Sequence, residues 1–205
     1  MSRYDVDTVE TQYQPGSNEQ VLLNKLAITS VSEMDDVEAF LLVKLYEKVF
    51  SDDEPAFPFS FQTVMDWHRQ WFGNVYPWAG KIRNVRMWKS DFEFAAPLQI
   101  ERAIRVFEND YCSKVSVIST LSQKEFVSFL AQSHVEFILI HPFREGNGRI
   151  SRLLMDYLSR EAGYELLDYS LWDQHKEFYI RAIQAGVCGD YQHMERLVRD
   201  VLDSQ

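Results

Sequence analysis

Cysteine is scarce in this 205-residue sequence, with Cys112 and Cys188 standing alone. Neither a Cys-x-x-Cys pair nor a His-Cys cluster is present, which excludes a disulfide scaffold and a thiolate metal site and suits a reducing compartment. Basic charge is also in short supply. Lys and Arg number 21 against 31 Asp and Glu, a net charge of −10, which argues against a surface that coats nucleic acid. No apolar run approaches membrane-spanning length, and Met1 to Asp7 lack the apolar stretch of a secretory leader. These absences point to a cytoplasmic protein with neither nucleic acid nor membrane as a direct partner. With 46% hydrophobic residues the chain can bury a sizeable core, and one domain over 1–205 is the economical division.

The dominant hydrophobic period is helical, so the fold class expected is all-α, a compact helical bundle. After a polar, turn-prone lead over residues 1–30, Val37, Phe40, Leu41, Leu45 and Val49 mark one helix, entered through a capping box of Ser30 and Glu33. Asp52 to Pro58 breaks it. Phe61, Val64, Met65, His68 and Phe72 mark a second, ended by Gly73 and the Tyr76-Pro77 turn. Pro97 suits the first turn of a third helix carrying Ile100, Ile104, Phe107 and Tyr111. A fourth runs from about Gln123 through Phe126, Phe129, Leu130, His134 and Ile138 to His141. Phe178, Ala182 and Ile183 suggest another after Trp172, and Met194, Leu197, Val198 and Val201 a terminal one.

Residues 82–95 depart from that period. Ile82, Val85, Met87 and Trp88, then Phe92, Phe94 and Ala95, flank the polar Lys89-Ser90-Asp91 and favour a short β-hairpin. Periodicity leaves two uses open: a functional flap, or a surface hairpin that packs Trp88 and Phe92 into the bundle.

The densest chemistry lies in 141–152, His-Pro-Phe-Arg-Glu-Gly-Asn-Gly-Arg-Ile-Ser-Arg. Ile150, Leu153, Leu154, Tyr157 and Leu158 share one face of a helix that begins near Asn147, whose free amides favour an anion. Gly146 and Gly148 permit positive φ and close approach to a ligand. Arg149 and Arg152, three residues apart, can fork onto phosphate oxygens from the first turn. Each feature alone has a plain explanation: a turn, or arginines pairing with Asp156 or Glu161 on a solvated face. Together they make a polyphosphate clamp. Glu145 beside a polyphosphate calls for a cation between them, and oxygen ligands beside phosphate suit Mg²⁺. His141, ahead of the rigid Pro142, can act as a base on a hydroxyl. Phe143 reads as an apolar plug that seats the loop.

This segment resembles the signature of the Fic (filamentation induced by cAMP) family, His-Pro-Phe-x-Asp/Glu-Gly-Asn-Gly-Arg-x-x-Arg, with every specified position present from His141 to Arg152. Phe72 to Arg83 looks like the family segment ahead of its flap. Tyr13-Gln14-Pro15-Gly16 and Leu23-Asn24-Lys25-Leu26 look like the lead of small stand-alone members.

The resemblance implies a Fic-like bundle in which a hairpin flap holds the target by strand addition, here Met87, Trp88, Lys89, Ser90, Asp91 and Phe92. It implies transfer of AMP from ATP to a protein Ser, Thr or Tyr hydroxyl. His141 would serve as base, while Gly146, Asn147 and Gly148 hold the α-phosphate. Glu145 would carry Mg²⁺, Arg149 the departing pyrophosphate and Arg152 the γ-phosphate. Members of this kind are held silent by a Glu in Ser/Thr-x-x-x-Glu-Gly/Asn, which engages the second arginine. Here Thr29 to Glu33 has the spacing, but Met34 follows, so a separate small helical antitoxin is the expected partner and the chain the toxin of the pair. The alternatives are another nucleotide donor on the same scaffold and a silent nucleotide-binding module; the intact Gly-Asn-Gly-Arg argues against kinase-like relatives.

Overall fold

The computed structural model describes residues 8–51, 58–89 and 92–203. Residues 1–7 of the lead, most of the expected break after Val49, and Ser90 and Asp91 of the expected flap lie outside the described residues. Those described form eight α-helices and one two-stranded antiparallel hairpin: α1 (Val31–Val49), α2 (Phe61–Phe72), β1 (Trp88–Lys89), β2 (Phe92–Glu93), α3 (Pro97–Asp110), α4 (Gln123–Ile140), α5 (Asn147–Glu161), α6 (Ser170–Gln174), α7 (Lys176–Gly186) and α8 (Gln192–Leu202). The all-α bundle expected from periodicity is the fold observed. A 3₁₀ segment, Cys112–Thr120, joins α3 to α4.

The central element is α4, packed by α3, α5, α7 and α8. Beyond its polar first turn the helix is mostly apolar, as a helix packed on several sides must be. Phe126, Val127, Leu130, Ala131, Val135, Phe137, Ile138 and Ile140 are all buried. Ser122 and Glu125 close a capping box at its start, the Ser122 amide and hydroxyl both donating to Glu125. At α7, a Cβ on Gly186 would lie 2.2 Å from Val135 Cγ1, so glycine there is what lets the two helices approach.

The reading of α1 needs correction. Its buried positions are Met34, Glu38, Leu45 and Val49, whereas Phe40, expected on the core face, is 61% exposed. A carboxylate occupies the slot that an apolar pattern skips, and the inferred stripe rotated toward Phe40. Only half of the expected cap forms, Glu33 N–H donating to Ser30 Oγ at 3.4 Å. The lead is ordered by its own polar groups: the Asn24 side chain donates to Ile28 O at 2.9 Å and accepts from the Leu26 and Ile28 amides. Lys25 N–H then ties the lead to Val75 O at 2.8 Å.

The hairpin is shorter than the 82–95 expected. Only Trp88↔Glu93 and Lys89↔Phe92 pair, with Phe94 N–H to Met87 O extending the ladder at 3.1 Å. Residues 82–86 are not paired as a strand because Arg83 turns inward. Its buried guanidinium donates to the carbonyls of Val85 (2.5 Å), Ala95 (2.7 Å), Ile140 (3.3 Å) and His141 (2.6 Å). One side chain thereby pins both legs of the hairpin to the end of α4.

Candidate active site

The chain leaves α4 through His141, whose φ of 48° is left-handed. That conformation is uncommon for a residue other than glycine, and it turns the following Pro142-Phe143 back beneath the bundle. Phe143 is fully buried, as the plug reading expects, and stacks on His68 with centroids 3.9 Å apart. His68 was visible in the sequence only as part of an apolar face. Its Nδ1 accepts from the Gly80 amide at 2.8 Å and its Nε2 donates to Glu145 O at 3.1 Å, so it braces the loop against the Trp78-Ala79-Gly80 turn. Burial lowers its pKa to about 4, which keeps the ring neutral in that role.

His141 itself lies flat against Phe94, with ring centroids 3.7 Å apart at 13°. Nδ1 meets Ile138 O at 3.3 Å; a carbonyl only accepts, so the proton belongs on Nδ1 and Nε2 carries a lone pair. Burial, with the positive charges of Arg83 and Lys89, lowers its pKa to about 3 despite the opposing Ile138 bond. A neutral imidazole with one basic nitrogen is a proton acceptor.

Helix α5 starts at Asn147 behind Gly146, as the sequence indicates. Gly146 has φ +79°, and a Cβ there would lie 2.6 Å from Trp71 and 2.9 Å from Phe72. Gly148 behaves differently. It sits in the first turn of α5 without the positive φ expected, and a Cβ there would meet nothing within 4 Å. Its missing side chain leaves space on the cleft side. The Asn147 side chain, expected on phosphate, is committed elsewhere: Oδ1 accepts from Phe143 N–H at 2.9 Å and Nδ2 donates to Phe143 O at 2.7 Å. Asn147 closes the loop, and the first-turn amides of α5 are left without intrahelical partners, as at any helix start.

Both motif arginines are engaged by carboxylates from elsewhere in the chain. Arg149 lies 4.6 Å above the Trp71 ring, 2.7 Å from Glu38 Oε2 and 3.5 Å from Glu145 Oε1. Glu38 also accepts from the Tyr76 hydroxyl at 2.6 Å, and its carbonyl from Trp71 Nε1 at 2.9 Å. Arg152 forks onto Asp173 at 2.5 and 3.1 Å and covers the Tyr169 ring. The plain alternative, Asp156, is buried and occupied by Tyr46, Tyr169 and the Leu167 amide. Glu33 sits exposed at the start of α1; the α1 carboxylate that reaches the motif is Glu38.

These residues line one cleft of about 470 Å³. Its floor is His141, Glu145, Gly146, Gly148, Arg149 and Arg152, its lip Lys89, Phe92 and Phe94, and its far wall includes Trp172, Tyr179 and Ile183. Hairpin alternation explains the lip, since the Lys89↔Phe92 pair faces the cleft while Trp88, 54% exposed, faces away. Met87 packs against the core at the hairpin base. A groove of about 510 Å³ between α3 and α4 contains no motif residue. Glu145 is the lone acidic side chain of the loop, half exposed, its Oε1 also accepting from the Gly146 amide at 2.9 Å. Among the described residues no cluster of three His, Cys, Asp or Glu could hold a metal unaided. Also among them, no helix is long and apolar enough to cross a membrane.

Known proteins with this arrangement are recognisable at several levels. The solved structure of BepC from Bartonella tribocorum, determined with bound AMPPNP, superposes with a TM-score of 0.74 over 94% of this chain and 96% of that one, at 24% identity. A Sinorhizobium fredii protein named "Probable protein adenylyltransferase y4lH" is 32% identical over 74% of this chain and 76% of its own length. Protein adenylyltransferase VbhT of Bartonella schoenbuchensis is 30% identical over 87% of this chain, which spans 36% of that longer protein. Residues 58–159 match the Fic/DOC family, a span that holds His68, Arg83, the hairpin and the whole loop but neither Glu38 nor Asp173. By that match and by the identity to y4lH, the chain belongs to the Fic/DOC family.

Proposed function

We propose that this protein is an adenylyltransferase that moves AMP from ATP to a Ser, Thr or Tyr hydroxyl of a target protein. The observation that carries the reading is His141, whose protonated Nδ1 faces a carbonyl and whose basic Nε2 belongs to a ring lining the same cleft as the amide-rich start of α5. In this reading Nε2 takes the hydroxyl proton as the oxygen attacks the α-phosphorus. The bond to the β-phosphate breaks and pyrophosphate leaves. The amides at Gly146 to Arg149 stabilise charge on the α-phosphate, and Arg149, fixed on Trp71, meets the leaving group. Lys89 and Phe92, with the rest of the hairpin edge, would hold the target segment. Arg152 reaches the distal phosphate.

Mg²⁺ fits as a guest of the nucleotide: one half-exposed carboxylate, Glu145, beside a phosphate loop is the donor set of an ion whose remaining ligands are phosphate oxygens and water. Held by Glu145, it would supply positive charge that offsets the phosphates. The family resemblance adds a toxin role in the cytoplasm, silenced by a separate helical antitoxin whose glutamate would engage Arg152. Incubation with each of the four α-labelled nucleoside triphosphates, Mg²⁺ and a cell lysate tests the assignment. Labelling of protein from ATP is expected. Labelling from another nucleotide alone would establish a different donor, and none from any would leave a binding module.

A further inference from the structure

The two motif arginines are held in different ways. Glu38, on Arg149, has a side chain only 6% exposed and is shared with Tyr76. Asp173, on Arg152, belongs to a five-residue helix, and its side chain is 63% exposed. The first pair is built in, and the second faces solvent and the cleft. Asp173, Arg152 and Lys176 all line the cleft. The Arg152 fork therefore already holds a planar two-oxygen anion, the shape that a phosphate edge presents to a guanidinium.

Resting on the ATP reading above, we propose that Asp173 is a competitor for polyphosphate. It holds Arg152, yields it to the distal phosphates of an incoming triphosphate, and reclaims it as pyrophosphate departs. Lys176 gives the displaced carboxylate a second partner, since its charge already acts on Asp173. Trp172, the neighbour of Asp173, is 1% exposed and bonded to Leu197 O at 3.3 Å. The helix is thus anchored by its aromatic residue, and the exchange needs only a side-chain rotation. Nothing bound short of the distal phosphates meets the competition, so Asp173 affects ligands according to phosphate number.

The test is calorimetric binding of three probes with Mg²⁺: a triphosphate analogue with a non-cleavable α,β bridge, inorganic pyrophosphate and AMP. Against the wild-type chain, Asp173→Asn should tighten the first two by about two- to fivefold, the scale of an exposed ion pair, and leave AMP unchanged. Asp173→Glu, which keeps the charge, should bind all three as wild type does. Asp173→Ser serves as the neutral variant if Asp173→Asn lowers the melting temperature. Unchanged or weaker triphosphate binding in a folded neutral variant would overturn the proposal, as would equal tightening of AMP, which marks a general field effect. Binding is read without turnover, so the outcome stands apart from whether ATP proves to be the donor.

Discussion

Glu38 Oε2 lies 2.7 Å from the Arg149 guanidinium although 111 residues separate them, and this pair connects the first helix to the start of α5. The carboxylate is buried and holds the Tyr76 hydroxyl with its other oxygen. Removing it strands a cation and a phenol together.

Glu38→Ala should therefore cost about 1–3 kcal/mol, less than a fully buried pair because Arg149 is a third exposed. Denaturant unfolding measures that loss. Turnover should fall with it, because Trp71 and the longer 3.5 Å contact to Glu145 would hold the Arg149 fork less firmly. A variant of wild-type stability and rate would remove Glu38 from the site.

His141→Ala should abolish transfer while leaving ATP binding largely intact, since an unactivated hydroxyl is a poor nucleophile near neutral pH. In the wild type, burial lowers the His141 pKa to about 3. The basic form consequently persists far below the usual imidazole range, and kcat/KM should show no histidine limb near pH 6.5. A pH–rate profile that halves there would contradict the burial of this ring. The same burial lowers His68 and His134, to about 4 and about 3. The unfolded chain then binds more protons than the folded one below about pH 6.5, and stability must decline as pH falls through that window.

The two glycines of the loop should separate fold from function. Gly146→Ala puts a Cβ against Trp71 and Phe72 at a positive φ, so it should lose about 2 kcal/mol or more of stability and melt below wild type. Gly148→Ala meets nothing in the protein and adds helix propensity. It should melt at or above wild type yet bind nucleotide worse, because the methyl enters the space left for phosphate. Full nucleotide affinity in Gly148→Ala would show that the cleft side of Gly148 is unused.

Arg83→Ala should loosen the hairpin from α4. Four carbonyls lose their donor at once, and buried acceptors left unpaired cost about 1 kcal/mol or more each. Hydrogen exchange reports this directly at the Ala95 amide, which bonds Leu139 O at 3.1 Å. Its protection should fall well before that of the α4 interior, and Arg83→Lys, with no planar fork, should recover little of it.

The bundle and the loop were legible because both depend on local pattern. The apolar period fixes α2, α3 and α4, and the glycines and arginines of 141–152 mark the start of α5. What sequence reading lost were contacts whose meaning is non-local. Glu38 is a charged residue that an apolar pattern passes over, and its place on the buried face of α1 is why the inferred stripe turns toward Phe40. His68 looked like a core residue, and it is one, yet its two nitrogens connect segments far apart in sequence. Arg83 gave no sign that it would turn inward, and that turn is why the paired strands are so short. Asn147 was located correctly, but only the geometry assigns its amide to the Phe143 backbone. The single signal that could have found Glu38 is a charged residue falling on the core-facing side of a helix once Met34, Leu45 and Val49 are aligned.

Glu38 and Asp173, the carboxylates nearest the two arginines, lie outside residues 58–159, one before that span and one after it. The parts that carry out the chemistry and the parts that set the charge they present can therefore change independently. A substitution in α1 or α6 can retune the electrostatic potential of the cleft without touching a motif residue. A protein trimmed to the matched span would keep every signature side chain but lose Glu38 and Asp173, leaving Arg149 only Glu145 and Arg152 without its carboxylate partner.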